Sequence, residues 1–88
     1  MEKLPVTSVE LEPIDNLEIT ISPNPSDGRF EIKSTQDISY TIYNSIGERV
    51  STGTTKNKFS VVDIQLPGVY FLVANYEERM KSIMLIRQ

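Results

Sequence analysis

The chain has 88 residues with 12 acidic and 9 basic side chains, a net charge of −3, and neither cysteine nor histidine. That length suits one domain, the lack of cysteine excludes disulfides, and the lack of histidine removes the commonest general base and metal ligand. The mild charge, without a basic stripe, does not suit nucleic-acid binding, and no apolar run approaches the about 20 residues of a membrane span. We therefore expect no nucleic-acid partner, no membrane insertion and no cofactor.

Residues 1–16 differ from the rest of the chain in composition and in the pattern of their apolar residues. They contain Pro5, Pro13 and four acidic side chains, and their apolar residues show no sustained alternation. That composition favours an extended chain, with at most a short strand at its end. We predict an acidic, proline-containing linker over residues 1–16 and a folded domain over residues 17–88.

From Leu17 onward, apolar and polar residues alternate with the period of two that is typical of half-buried strands. Proline and glycine signals close each run. The residues predicted to face inward in the first half are Leu17, Ile19 and Ile21, then Phe30 and Ile32, then Ile38, Tyr40 and Ile42. A turn is predicted at residues 44–47, where Gly47 follows three residues that end the alternation.

The alternation of apolar and polar residues continues in the second half of the chain. We predict a short strand over residues 48–52 around Val50, a strand over 58–66 with Val62, Ile64 and Leu66 facing inward, and a last strand over 79–86. The strand over 69–76 is the most apolar, which indicates a central position. Apolar residues nowhere recur at helical spacing. The pattern predicts an all-β fold, an Ig-like antiparallel β-sandwich of about seven short strands with no helix.

The stretch Leu66-Pro67-Gly68-Val69-Tyr70 is the most informative for the fold. Pro-Gly would turn the chain from one sheet to the other, and Tyr70 would lie near the start of the next strand. This arrangement predicts a tyrosine corner, in which the hydroxyl bonds to backbone a few residues upstream. The alternative is a turn followed by an ordinary core aromatic residue. Either role is structural.

The stretch Pro23-Asn24-Pro25-Ser26-Asp27-Gly28 offers the oxygens of Asn24, Ser26 and Asp27. A calcium site needs about 6–8 oxygens, usually from several carboxylates, and only one is present here. A rigid turn is therefore the better interpretation.

Residues suited to catalysis are missing. Serine nucleophiles lack a histidine partner, and no Gly-rich phosphate loop occurs among the four glycines. Glu77 and Glu78 are adjacent, so in a strand they would point to opposite faces and could not act as a carboxylate pair. We expect the chain not to be an enzyme.

The last ten residues carry Arg79, Lys81 and Arg87 and no acidic side chain. These charges either protect an edge strand from aggregation or form a recognition feature, and from this chain alone edge protection is the simpler reading. Since exposed charge changes alter stability by less than about 0.5 kcal/mol, we expect replacement of Lys81 and Arg87 by glutamine to leave folding intact.

In order along the chain, four blocks resemble the type A C-terminal sorting domain of the type IX secretion system of Bacteroidota. The blocks cover residues 19–30, 42–50, 62–72 and 81–88. The motif residues that carry the resemblance are Pro23, Asn24, Pro25, Gly28, Gly47, Leu66, Pro67, Gly68 and Tyr70. One departure is visible, because the family usually places another residue between the proline and glycine of the Leu-Pro block.

The resemblance implies a C-terminal export signal carried by a larger exported protein. Such a domain crosses the periplasm, is recognised by the type IX translocon and shuttle proteins, and is then typically removed by a sortase-like cysteine peptidase acting on the linker. Its cargo is secreted or anchored at the cell surface. The resemblance makes Lys81, Arg87 and Gln88 the candidate recognition residues. It favours recognition over edge protection as the role of the basic side chains near the end of the chain.

The alternative function is an Ig-like or fibronectin-like accessory binding module of a secreted enzyme. Such a module would need exposed aromatic residues as a binding platform. With three Phe, four Tyr and no Trp, mostly spaced as core residues, the chain is poor material for one.

Overall fold

The computed structural model describes residues 17–88, so the predicted linker over residues 1–16 lies outside the described residues. The described part forms seven strands and no helix. The strands are β1 (Ile19–Ser22), β2 (Arg29–Ser34), β3 (Ser39–Asn44), β4 (Arg49–Thr54), β5 (Phe59–Asp63), β6 (Gly68–Tyr76) and β7 (Arg79–Arg87).

The strands form two antiparallel sheets, with the orders β1-β2-β5 and β4-β3-β6-β7. Compared with the constant-type immunoglobulin sandwich, the fourth strand has moved from the first sheet to the second. The predicted Ig-like all-β sandwich is thereby confirmed. β6 lies between β3 and β7, which confirms the central position expected for the most apolar segment.

The core lies between the two sheets and follows the predicted alternation. Phe30 and Ile32 of β2, Ile42 of β3, Leu72 of β6 and Leu85 of β7 are fully buried. The other buried residues of the core include Leu17, Ile38, Tyr40, Val62 and Ile64. Ile19 and Ile21 of the edge strand β1 are partly buried and pack against this core.

The inward assignment of Leu66 is wrong, and Val50, for which no face was predicted, is also exposed. Leu66 is 71% exposed, and Val50 is 47% exposed. The strand predicted over residues 58–66 ends at Asp63, so the alternation no longer fixes the direction of Leu66 beyond it. Val50 lies beside a break in the pairing of β3 with β4, where the register shifts between Ile42 and Tyr43. A register shift of this kind interrupts the period of two.

Gly53 has a packing role that the alternation did not reveal. It lies opposite Tyr40 in the β3–β4 register, and a Cβ atom at this position would come within 2.7 Å of the Tyr40 hydroxyl oxygen. The hydroxyl also forms a hydrogen bond of 2.8 Å with Ser60 of the other sheet. The missing side chain of Gly53 therefore makes room for a tyrosine that links the two sheets.

The antiparallel order gives the sandwich two distinct ends. One end holds the loop over residues 23–28, the turn over residues 44–48, the crossover over residues 64–67 and the last residues, 87 and 88. We call it the motif end, because every block of the family resemblance reaches it. Leu17 and the turns over residues 35–38, 55–58 and 77–78 lie at the opposite end.

Candidate recognition site at the motif end

The loop over residues 23–28 follows β1 in the chain and is hydrogen-bonded to β7 at the edge of the other sheet. Both of its prolines follow cis peptide bonds, Ser22–Pro23 and Asn24–Pro25. Between them, the Asn24 side chain pairs with the backbone of β7: its Nδ2 donates to the Met84 carbonyl at 2.9 Å, and its Oδ1 accepts from the Ile86 N–H at 3.0 Å. The amide of Asn24 thus replaces the backbone of a neighbouring strand.

Ser26 continues this pairing with its own backbone. Its N–H donates to the Ile86 carbonyl at 2.9 Å, and its carbonyl accepts from the Gln88 N–H at 2.8 Å. The result is a parallel bridge between Ser26 and Arg87. Together, Asn24 and Ser26 fasten the end of β7 to the loop that follows β1, and we call this arrangement the β7 clamp.

The Ser26 side chain holds the loop in shape. It is 2% exposed. Its Oγ donates to the Arg29 carbonyl at 2.6 Å and accepts from the Gly28 N–H at 3.1 Å. The side-chain oxygens of Asn24 and Ser26 are therefore engaged with backbone, which supports the rigid-turn interpretation of this stretch. Among residues 17–88 no cluster of three or more acidic side chains could hold a metal ion.

Arg87 completes the motif end from the inner side of β7. Its Nε donates to the Ile64 carbonyl at 2.9 Å, and its Nη2 donates to the Gln65 carbonyl at 2.9 Å. Its Nη1 donates to the Gln88 carbonyl. The guanidinium therefore binds the β5–β6 crossover to the last strand, and a Cβ atom added at Gly28 would lie 3.7 Å from its Nε.

This geometry corrects one expectation. Arg87 is a half-buried residue with three carbonyl acceptors rather than a solvated edge charge. Replacing it removes hydrogen bonds between elements, so its replacement cannot be treated as a neutral surface change.

The crossover itself contains the predicted tyrosine corner. The Tyr70 hydroxyl donates to the Leu66 carbonyl at 2.7 Å, and the Tyr70 ring is buried. Tyr70 is the third residue of β6, the position expected for this motif near the start of the sixth strand. The corner turns the Leu66 carbonyl toward the ring while the Leu66 side chain remains in solvent.

Two apolar side chains are exposed to solvent at the motif end. Ile46, at the tip of the turn that contains Gly47, is 77% exposed, and Leu66 is 71% exposed. A cleft of about 310 Å³ lies beside Leu66, lined by Val50, Ile64 and Tyr70, with Asp63 and Gln65 at polar positions. An exposed apolar surface flanked by polar groups is typical of protein recognition.

Lys81 is the one candidate recognition residue that lies apart from this end. It is six residues before Arg87 on β7, about 20 Å away at the rise of an extended strand. Its Nζ donates to the Leu17 carbonyl at 2.7 Å, which connects β7 to the residues before β1. The structure thus groups Arg87 and Gln88 with the loop and crossover motifs and leaves Lys81 near the opposite end.

The described residues define a two-sheet antiparallel β-sandwich whose motif end carries the exposed side chains of Ile46 and Leu66. No helix long and apolar enough to cross a membrane occurs in residues 17–88. The chain belongs to the family described as the secretion system C-terminal sorting domain, whose model matches residues 20–87. No curated protein matches the chain.

Membership in this family gives the domain its function. The domain is a C-terminal sorting signal for type IX secretion, and it interacts with the machinery of that system. It directs the protein that carries it to the cell surface or out of the cell, and the sorting domain itself is not catalytic. The accessory binding module is not favoured by this match.

Sequence reasoning missed the importance of Ser26. It lies in a recognised motif, but its partners Ile86 and Gln88 are about sixty residues away and no local pattern indicates them. The one local signal is its position before Asp-Gly, since serine hydroxyls often bond to the backbone two residues ahead in turns.

Proposed function

We propose that the secretion machinery binds the folded motif end of this domain and that the cargo is attached at the opposite end. The observation that supports this division is topological: Leu17 and Gln88 lie at opposite ends of the sandwich. A receptor at the motif end would not collide with a cargo attached through residues 1–16. The domain folds in the periplasm before it reaches the outer-membrane translocon.

The proposed recognition residues are Arg87 and Gln88, with Leu66 as an exposed apolar contact, and Lys81 as a secondary contact nearer the linker. A buried apolar anchor surrounded by polar contacts is the usual organisation of a protein interface. Leu66 offers such an anchor without any loss of core packing, because its side chain already lies in solvent.

Residues 1–16 are proposed as the segment cut by a sortase-like cysteine peptidase after export. A protease needs an extended substrate, and sites of cleavage concentrate in chain segments outside compact domains. Cleavage here would release the whole sandwich from the cargo, which is then secreted or held at the surface.

Export of a reporter tests the proposal. A fluorescent protein with a signal peptide is fused to residues 1–88 in a Bacteroidota host, and its fraction outside the cell is measured with and without the translocon. Leu66→Ser is compared with Met80→Ser, because Met80 is 69% exposed and lies at the opposite end. We expect Leu66→Ser to reduce export and Met80→Ser to leave it unchanged, with both domains folded. Equal export of the two variants would refute recognition at the motif end.

A further inference from the structure

The two sheets differ in the chemistry of their outer faces. Successive residues of a strand point to opposite faces, so the residues that alternate with the buried ones point outward. On β2 and β5 the outward residues include Arg29, Glu31, Lys33 and Asp63, and these charges keep that face in water. On β3, β6 and β7 the outward residues, which alternate with Ile42, Leu72 and Leu85, are all uncharged.

Large apolar side chains lie together on this uncharged face, in the half near the motif end. Val69 of β6 is paired with Ile86 of β7, and Phe71 is paired with Met84 on one side and with Tyr43 of β3 on the other. Val69, Phe71 and Ile86 are 37–39% exposed, and Met84 is 52% exposed. We call these five residues the outer patch. A contiguous group of exposed apolar side chains is typical of a binding surface.

The size of the outer patch indicates a transient partner rather than a second copy of the domain. A large side chain has about 150–250 Å² of surface, so four side chains that are 37–52% exposed offer roughly 250–400 Å². Apolar patches of about 300–600 Å² on monomers are often functional. A stable dimer buries about 800 Å² on each partner, which is more than the outer patch supplies.

The β7 clamp fixes the backbone beneath the outer patch. The Asn24 side chain donates to the Met84 carbonyl and accepts from the Ile86 N–H, and the Ser26 N–H donates to the Ile86 carbonyl. A surface that is already ordered loses less freedom when a partner binds, which favours binding. The patch also adjoins the motif end, because Ile86 directly precedes Arg87.

We propose that a component of the secretion machinery binds the outer patch through uncharged aliphatic and aromatic side chains of its own. Family membership makes the machinery a partner of the domain. Charged side chains are depleted at the centre of protein interfaces, and against this uncharged face they would lose hydration without gaining a counter-charge. The inference rests on the proposed function and extends it, since the bound surface then continues from the motif end onto one face of the four-stranded sheet.

Export of the reporter fused to residues 1–88 tests the outer patch against a matched control on the other sheet. The test variant combines Phe71→Thr with Met84→Thr, which changes one cross-strand pair and keeps β-branched residues suited to strands. The control combines Phe59→Thr with Val61→Thr, because these two residues are 40% and 41% exposed on the charged face. Urea denaturation establishes that both variants are folded.

We expect Phe71→Thr with Met84→Thr to lower the exported fraction at least about tenfold, because truncating the anchors of an interface weakens binding by at least that factor. Phe59→Thr with Val61→Thr should stay within about twofold of the parent, as exposed changes away from an interface do. Phe71→Leu with Met84→Leu, which keeps the patch apolar, should export at close to the parental level.

A pair of single changes keeps the test decisive if the threonine variant does not fold. Met84→Lys and Val61→Lys alter the net charge equally at exposed strand positions on the two faces. Only Met84→Lys places an unpaired charge in an apolar contact, so it alone should reduce export.

Export of the folded Phe71→Thr, Met84→Thr variant at the parental level would overturn the inference, and an export defect in Leu66→Ser would then leave the proposed function standing. The reverse result, a defect in the patch variant and none in Leu66→Ser, would retain the outer patch and refute binding at the motif end.

Two other occupants of the outer patch have their own signatures, and either would overturn the proposal. A sedimentation coefficient that rises with the concentration of the purified domain, but not with that of the patch variant, would assign the patch to a second copy. Cosedimentation of the parent domain, but not of the patch variant, with phosphatidylcholine vesicles would assign it to lipid.

Discussion

The strongest quantitative test concerns Arg87, which forms hydrogen bonds within the fold and is also one of the proposed recognition residues. Its guanidinium donates to the Ile64 and Gln65 carbonyls at 2.9 Å each and also to the Gln88 carbonyl. A hydrogen bond from a charged donor contributes about 1.5–3 kcal/mol, and water competes for a half-buried side chain. We expect Arg87→Gln to lower the free energy of unfolding by about 2 kcal/mol.

That loss would be a large part of the total. Domains are stable by about 0.05–0.15 kcal/mol per residue, so a sandwich of this size has roughly 4–10 kcal/mol in all. Urea denaturation followed by far-UV circular dichroism measures the change, with the slope of the transition as a check on two-state behaviour.

Lys81→Gln is the matched control for Arg87→Gln. Within residues 17–88 the exposed side chain of Lys81 donates one hydrogen bond, to the Leu17 carbonyl, so its loss should cost less than about 1 kcal/mol. Arg87→Lys keeps the charge but cannot reach both carbonyls in a planar fork, so it should recover little stability. If Arg87→Lys is as stable as the parent, or if the two glutamine variants are equal, the hydrogen-bond argument is wrong.

Three further changes test the rest of the motif end and the core. Tyr70→Phe should cost about 1 kcal/mol through the lost bond to Leu66, and Tyr70→Ala about 3–5 kcal/mol through a cavity, both by urea denaturation; equal, negligible losses would contradict the corner. Gly53→Ala should destabilise by about 1–3 kcal/mol because its Cβ would clash with the Tyr40 ring, and combining it with Tyr40→Phe, which removes the nearest atom, should cost less than the two changes summed. Asn24→Ala should accelerate exchange of the Ile86 amide, while exchange at the parental rate would mean that the β7 clamp does not protect this edge.

Much of the fold could be predicted from the sequence because β2, β3 and β6 each bury alternate residues. Phe30 and Ile32 alternate with polar neighbours, and each is fully buried as that pattern requires. The same logic failed for Leu66, because β5 ends at Asp63 and a residue outside a ladder has no face imposed by the pleat. The tyrosine corner could be predicted because its partner is four residues away.

The interactions of the candidate site could not be predicted in the same way. Asn24 bonds to residues 60 and 62 positions further along, and Arg87 bonds to residues 22 and 23 positions before it. Such partners are set by which strand ends meet, and a local pattern carries no information about that. The basic residues of β7 therefore looked equivalent in the sequence, although Lys81 and Arg87 make contacts at opposite ends of the strand.

The spacing of the family blocks follows from the topology of the sandwich. A chain that runs up one strand and down the next returns to the same end after two strands. The segments that begin at residues 23, 44, 64 and 87 are consequently separated by about two strands each. Asn24, Ser26 and Arg87 bond across three of these segments, those that begin at residues 23, 64 and 87. Each of these three blocks holds another in place, and none could be moved to the opposite end without losing its partners. The order and spacing of these blocks are thus requirements of the fold.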